Sequence, residues 1–145
     1  MWLYMKKLDN FCNSLNVLSN ADFAKAAEDE IYRTGIVGQF NLTFELAWKS
    51  LQEVLQLYSV TGSEAGSPRD ILKLAYTTGF VSDAHVWLLM LKKRNLSVHI
   101  YSEEDIDELI ILIRDSFIPA FRILAETLEQ KLQALADDSW EKQTK

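Results

Sequence analysis

The stretch from Arg94 to Tyr101 places three side chains with useful chemistry close together: Arg94, His99 and Tyr101. A histidine titrates near neutral pH and can take or give a proton, whereas an arginine stays charged and can hold two phosphate oxygens. Metal-free RNA cleavage needs a base for the ribose 2′-hydroxyl, an acid for the leaving oxygen, and positive charge on the transition state. Arg94 and His99 are therefore the predicted catalytic pair.

Polar residues beside this pair are candidates for supporting roles. Asn95, one helical turn before His99, can fix the imidazole tautomer or bind phosphate. Tyr101 can hydrogen-bond a phosphate or stack on a base. Lys92 and Lys93 come directly before the arginine, so Lys93 is a candidate contact for phosphate or substrate. The competing interpretation of these two lysines is an ordinary solvated helix face.

The spacing of the catalytic pair conflicts with a single straight helix. The pattern from Ser82 to about Ile100 predicts an amphipathic helix, in which each residue turns by about 100°. Arg94 and His99 would then point roughly 140° apart, too far to meet at one small target. Either the helix ends before His99, or a second subunit supplies the complementary group.

A structural role for the arginine competes with a catalytic one. Trp87, Arg94 and Tyr101 recur at seven-residue intervals along a stripe that is expected to be core or subunit interface. A cation on such a stripe needs a carboxylate, a phosphate or an aromatic face. Glu45 is the candidate carboxylate; alternatively, it pairs with Lys49, four residues further along the same helix.

Composition limits the classes of function that this chain can have. Its 145 residues, 48% of them apolar, suit a folded domain, and its net charge of −6 argues against duplex DNA as a partner. A single cysteine, Cys12, and the absence of a His pair with ligand spacing predict neither a metal site nor a cofactor. Without a signal-peptide pattern or a membrane-length apolar run, a cytoplasmic protein with no membrane partner is expected.

Apolar residues recur at helical spacing along most of the chain and predict an all-α fold. We expect an antiparallel up-and-down bundle of four main helices plus a short one. A single domain is expected over residues 1–136, followed by a frayed tail at 137–145. The main predicted helices are one around Tyr4–Leu18, a long one from about Ala24 to Tyr58, one from Ser82 to Ile100, and one from Ser102 to about Ala136.

Two of these helices are expected to be interrupted. A continuous helix from Ala24 to Tyr58 would be on the order of 50 Å long, which exceeds the diameter of so small a domain. Gly35 and Gly38 are the expected weak points, or else they allow another helix to approach closely. Pro119 is expected to kink or split the last helix near Phe117.

Capping residues mark the ends of the later helices. Ser67, Ser82 and Ser102 are predicted N-caps, and Gly79 is predicted to close the short helix that begins after Ser67. The acidic residues that follow Ser102 lie in the first turns of the last helix. They are predicted to stabilise the positive end of that helix rather than to bind a metal ion.

These residues, in this helical frame, resemble the HEPN superfamily, specifically the small helical nucleotidyltransferase substrate-binding proteins. The resemblance covers roughly residues 5–135. Asn41 stands where an acidic residue is common, and Ile100 where Thr is frequent. Two blocks carry the resemblance: Gln39 to Lys49, and the stretch from Ser67-Pro68-Arg69 through Gly79, Trp87 and Met90 to Arg94-Asn95, His99 and Tyr101.

The resemblance implies a homodimeric bundle that works with a separately encoded minimal nucleotidyltransferase, often as a toxin–antitoxin module. In such modules the helical protein is regarded as a metal-independent RNase. Its Arg and His sites, here Arg94 and His99, face each other across the dimer. The partner can transfer AMP to the motif tyrosine, here Tyr101. An alternative role is a non-catalytic adaptor that presents substrate to the nucleotidyltransferase, and the sequence carries residues for both.

Overall fold

The computed structural model describes the backbone of residues 2–94 and 102–144 and the side chains of residues 6–94 and 102–140. These parts of the chain contain helices and no strand, so the predicted all-α fold is confirmed. Within them, no helix is both long enough and apolar enough to cross a lipid bilayer. The elements are α1 (Trp2–Ser19), α2 (Phe23–Ala26), α3 (Glu30–Leu57), α4 (Pro68–Thr77), α5 (Ala84–Lys93), α6 (Glu103–Leu112), a π-helical turn (Ile113–Phe117) and α7 (Ile118–Thr144).

An aromatic cluster joins the principal helices around α3. The rings of Phe40 on α3 and Phe117 in the π-helical turn stack with centroids 5.2 Å apart. Phe121 on α7 contacts Phe11 on α1 at 6.0 Å and Trp87 on α5 at 5.5 Å, both edge to face. Because these rings are almost completely buried, they tie α1, α3, α5 and α7 into one core.

The predicted long helix is broken before its glycines rather than at them. α2 and α3 are separate helices, and α3 begins where the Asp29 side chain accepts the Tyr32 N–H at 3.0 Å. Gly35 and Gly38 lie inside α3, where a Cβ added at either position would have no neighbour within 4 Å among the described residues. The expectation of a weak point or a close helix contact at these glycines is therefore wrong for the described residues. A capping aspartate starts a new helix instead.

The last helix is split where its proline predicts. Between α6 and α7, the backbone N–H of Ile118 donates to the carbonyl of Ile113, which is the wider spacing of a π-helix. Pro119 has no N–H to donate, and its ring would crowd the carbonyl four residues earlier. The wider turn accommodates both effects, so the predicted interruption near Phe117 is confirmed.

α7 extends further than the sequence predicted. It continues to Thr144, whereas an end near Ala136 and a frayed tail were expected. The side chain of Gln133 donates to Asp137 at 2.9 Å across the predicted end, and no glycine or proline follows Pro119. With neither a break in the sequence nor a capping signal, the helical pattern continues.

The N-caps predicted at Ser67 and Ser102 are present at the starts of α4 and α6. The hydroxyl of Ser67 accepts the Asp70 N–H, and the backbone N–H of Ser67 donates to the Asp70 carboxylate, which completes a capping box at α4. The backbone N–H of Ser67, and after it the Ser67 hydroxyl, which donates to Oδ2 at 3.0 Å, stabilise the charged carboxylate and so lower the pKa of Asp70. Ser102 likewise accepts the Asp105 N–H at 3.2 Å and caps α6.

Gly79 closes α4, as predicted, in a left-handed conformation. Its φ is +83°, a value that glycine adopts without steric cost. The N–H of Phe80 donates to the carbonyl of Ala75 at 2.8 Å, and the N–H of Gly79 donates to that of Tyr76. This pair of bonds is a Schellman motif, which turns the chain from α4 towards α5.

Candidate functional site

α5, which leads into the candidate site, is shorter than the sequence predicted. Its N-cap is Asp83 rather than Ser82, because the Asp83 carboxylate accepts the backbone N–H three residues later. At its other end, Arg94 has the extended dihedrals φ −68° and ψ 156°, so the helical hydrogen-bond pattern stops. The prediction of a Ser82 cap is therefore wrong, and so is that of a helix unbroken through Arg94, while the rest of the predicted helix, up to Ile100, lies outside the described residues. The 140° separation calculated for a continuous helix no longer applies.

The structure describes only part of the predicted site. Arg94 lies at the end of α5, half-buried, and Lys93 lies in the last turn of the same helix. Asn95, His99 and Tyr101 lie outside the described residues. Their predicted roles in acid–base chemistry, phosphate contact and modification therefore stay predictions.

Arg94 and Glu45 form an ion pair. Nη1 of Arg94 donates to Oε1 of Glu45, across 49 residues of sequence, and so joins the end of α5 to the middle of α3. The Arg94 side chain is 17% exposed and that of Glu45 is 38% exposed. Since solvent reaches the carboxylate, the pair is partly screened and less costly to bury than a dry one.

Three further side chains surround this ion pair. The Arg94 guanidinium lies over the Phe44 ring, with Cζ 5.2 Å from the centroid. Trp48 donates its indole N–H to Oε2 of Glu45 at 3.0 Å. Lys49 places Nζ 3.9 Å from the same oxygen, so both pairings considered for Glu45 occur together. Our sequence reasoning missed Trp48 as a contact, although its position three residues after Glu45 puts both on one helix face.

The charges of this cluster favour an anionic ligand. Arg94 and Lys49 both contact the single carboxylate of Glu45, which leaves one excess positive charge. Lys92, an exposed residue at the adjoining end of α5, adds to the positive charge. On a chain with a net charge of −6, this region therefore attracts a phosphate more strongly than the average surface does.

The lone cysteine offers no alternative nucleophile. Cys12 packs against the core, as expected, and its thiol donates to Oε1 of Glu129 at 3.7 Å. Burial, together with the charge of Glu129, raises the pKa of Cys12 to about 11. The thiol is therefore protonated at neutral pH, whereas nucleophilic cysteines are thiolates.

A separate groove lies between α5 and α7. Its volume is about 450 Å³. Trp87 and Leu124 supply apolar walls, and His85 and Ser116 supply polar atoms. None of the predicted site residues that the structure describes lines this groove, so it is distinct from the Arg94 cluster.

The chain matches the family model described as "Nucleotidyltransferase substrate binding protein like" over residues 6–130. It belongs to this family. Over 101 residues it is also 28% identical to a Haemophilus influenzae protein named probable ribonuclease HepT, and the aligned part covers 68% of each chain. The family membership agrees with the resemblance that the two sequence blocks carry.

Two solved structures share this fold. One is a Haemophilus influenzae protein described as the substrate-binding domain of a nucleotidyltransferase, with a TM-score of 0.64 and 21% identity, covering 88% of this chain and 97% of that one. The other is a Thermus thermophilus protein, with a TM-score of 0.62 and 28% identity, covering 86% and 98%. Both alignments cover nearly the full length of the solved chains, so the helical arrangement of this protein matches theirs over almost all of their length.

Arg94→Ala is expected to lower the free energy of unfolding by about 2 kcal/mol. The change removes a hydrogen bond between charged groups, typically worth about 1.5–3 kcal/mol, and a contact with the Phe44 ring. Partial exposure of Glu45 keeps the loss below the ~3–5 kcal/mol of a fully buried pair. Urea denaturation followed by circular dichroism measures the change.

Arg33→Ala is the matched control for this prediction. The Arg33 side chain is 16% exposed, but it pairs at 3.1 Å with Asp107, whose side chain is 58% exposed. Such an outward-facing pair is expected to contribute at most about 1 kcal/mol. Equal losses in Arg33→Ala and Arg94→Ala would show that the Glu45 and Phe44 contacts add no stability of their own.

Proposed function

We propose that this protein is the HEPN-type helical partner of a separately encoded minimal nucleotidyltransferase, with a latent metal-independent endoribonuclease activity in a cytoplasmic toxin–antitoxin module. The observation that carries the proposal is the Arg94 cation, held at the end of α5 in a cluster with excess positive charge. Similarity to a probable ribonuclease supports the reaction class. The family description supports the partnership.

In the proposed reaction, an imidazole accepts the proton of a ribose 2′-hydroxyl, and the 2′-oxygen attacks the adjacent phosphorus. The bond from phosphorus to the 5′-oxygen breaks, and a second imidazole protonates that oxygen as it leaves. The products are a 2′,3′-cyclic phosphate and a free 5′-hydroxyl. A homodimer supplies His99 twice, as base and as acid, while Arg94 stabilises the charge that develops on the phosphate oxygens.

A non-catalytic adaptor is the second candidate function. The contacts of Arg94 with Glu45 and Phe44 favour it, because they give the guanidinium a structural role that needs no substrate. In this function the same positive cluster binds the nucleotidyltransferase or the phosphate of its substrate. The family description, which names substrate binding, fits this alternative as well.

A cleavage assay in a chelator separates the two functions. The protein is purified without its partner, and mass spectrometry establishes that it carries no AMP. It is then incubated with single-stranded RNA in EDTA, and the RNase function predicts products that end in a 2′,3′-cyclic phosphate. RNA that stays intact at high enzyme concentration would favour the adaptor.

AMP transfer is expected to require Tyr101. After incubation with the nucleotidyltransferase and ATP, the wild-type protein is expected to gain the mass of AMP groups, and Tyr101→Phe to gain none, because only the phenol oxygen can accept the phosphate. Tyr76→Phe, which alters an exposed tyrosine on α4, is the control and should be modified normally. Intact-mass spectrometry measures all three, and adducts retained in Tyr101→Phe would identify another acceptor.

A further inference from the structure

Lys49 is the most exposed member of the charged cluster around Glu45. Its side chain is 53% exposed, whereas that of Arg94 is 17% exposed. Both residues contact the same carboxylate, Arg94 at Oε1 and Lys49 near Oε2. The two cations therefore contact different oxygens of one carboxylate, and Lys49 is the one that solvent reaches more easily.

The contact of Lys49 with Glu45 is weak. At 3.9 Å, the Nζ–Oε2 distance is at the limit of an ion pair, and the same oxygen already accepts the Trp48 N–H at 3.0 Å. Exposed pairs four residues apart on a helix contribute only about 0.3–0.5 kcal/mol. The four-carbon stem of lysine can therefore redirect the ammonium towards another anion at little cost.

The charge balance favours such an anion. Glu45 can neutralise one cation, and Arg94 holds the shorter contact with it. The ammonium of Lys49 is then the part of the cluster whose charge is least compensated. A phosphate group that approaches Arg94 comes within reach of this ammonium, because both cations adjoin the same carboxylate.

We propose that Lys49 contacts a backbone phosphate of single-stranded RNA, next to the phosphate that Arg94 holds. This inference rests on the proposed function and adds a binding contact to it. Lys49 takes no part in proton transfer. It increases affinity for RNA of any sequence, because a phosphate contact carries no base information.

The test measures RNA binding as a function of salt in a His99→Ala background, which prevents cleavage. Each phosphate contact on a single strand contributes about 0.7 to the slope of log affinity against log salt concentration. Lys49→Gln is therefore expected to weaken binding of different RNA sequences alike and to reduce that slope by about 0.7. Lys49→Arg, which keeps the charge, is expected to retain the slope.

Lys7→Gln is the matched control. Lys7 is 50% exposed and pairs with Glu53 at 3.0 Å, so it resembles Lys49 in exposure and partner but lies on α1. The Lys7→Gln substitution is expected to leave the slope of log affinity against log salt concentration unchanged. Equal slopes for Lys49→Gln and the background, or an equal change in Lys7→Gln, would overturn the inference.

The binding assay also distinguishes this inference from the proposed function. If the background protein binds no RNA at any salt concentration, both are wrong. If it binds RNA with a slope that does not depend on Lys49, the Lys49 contact alone is wrong, and the ribonuclease proposal is judged by the cleavage assay.

Discussion

His99→Ala is expected to lower the rate of RNA cleavage by about 10²–10⁴-fold, which is the usual contribution of a positioned general acid or base. Alanine cannot take the 2′-hydroxyl proton or return one to the leaving oxygen. In the proposed dimer, His99 is the base in one copy and the acid in the other, so its removal affects both steps. The rate is measured in EDTA at matched protein concentration, with circular dichroism to establish that the variant is folded.

His85→Ala is the control for this experiment, since the chain has only two histidines. His85 is exposed in the first turn of α5 and borders the groove, away from the Arg94 cluster. The His85→Ala variant is expected to cleave RNA at the wild-type rate. If His99→Ala cleaves as fast as His85→Ala, the activity belongs to a contaminant or to other residues, and the ribonuclease proposal is wrong.

Phe40→Ala is expected to lower the free energy of unfolding by about 3–5 kcal/mol, the range for removing a buried aromatic ring. The Phe40 ring is fully buried, stacks on Phe117 and lies 6.2 Å from Phe121. Alanine leaves a cavity where α3, α7 and the π-helical turn meet. Domains of this kind typically have about 5–15 kcal/mol of stability in total, so the loss is a large part of it.

Leu42→Ala provides the comparison for Phe40→Ala. Leu42 lies two residues later on α3, but its side chain is exposed, so the truncation leaves no cavity and is expected to change stability by about 0.5 kcal/mol or less. Both variants are measured by urea denaturation. A loss in Phe40→Ala no greater than that in Leu42→Ala would contradict the central position assigned to the aromatic cluster.

The aromatic cluster and the Arg94 site are physically connected. The ring centroids of Phe44 and Trp87 are 6.3 Å apart, and those of Trp87 and Phe121, in the cluster, are 5.5 Å apart. The Phe44 ring also lies beneath the Arg94 guanidinium. The position of Arg94 therefore depends on packing between α3, α5 and α7, as well as on its ion pair with Glu45.

The sequence alone was sufficient for features that depend on neighbouring residues. The helical class, the N-cap at Ser67, the closing glycine at Gly79 and the interruption near Phe117 were all predicted. Each follows from contacts between residues only a few positions apart or from the shape of a single side chain. Such local preferences hold in most folds that contain the segment.

Helix ends without a single dominant signal were predicted less well. Asp29, rather than Gly35 or Gly38, separates α2 from α3, because an aspartate that caps a helix outweighs the modest penalty of a helical glycine. α7 continues beyond Ala136 because its sequence contains no residue that stops it. Here several weak preferences compete, and their balance is not visible in the spacing of apolar residues.

Only the tertiary structure decided how the site is assembled. The sequence identified Arg94 and Glu45 but left open which partner Glu45 takes, and it did not identify Trp48 as the donor to Glu45. Arg94 and Glu45 are 49 residues apart, so their meeting depends on the packing of α5 against α3. The hydrophobic effect that drives this packing has no direction of its own, and only the completed fold determines which polar groups come into contact.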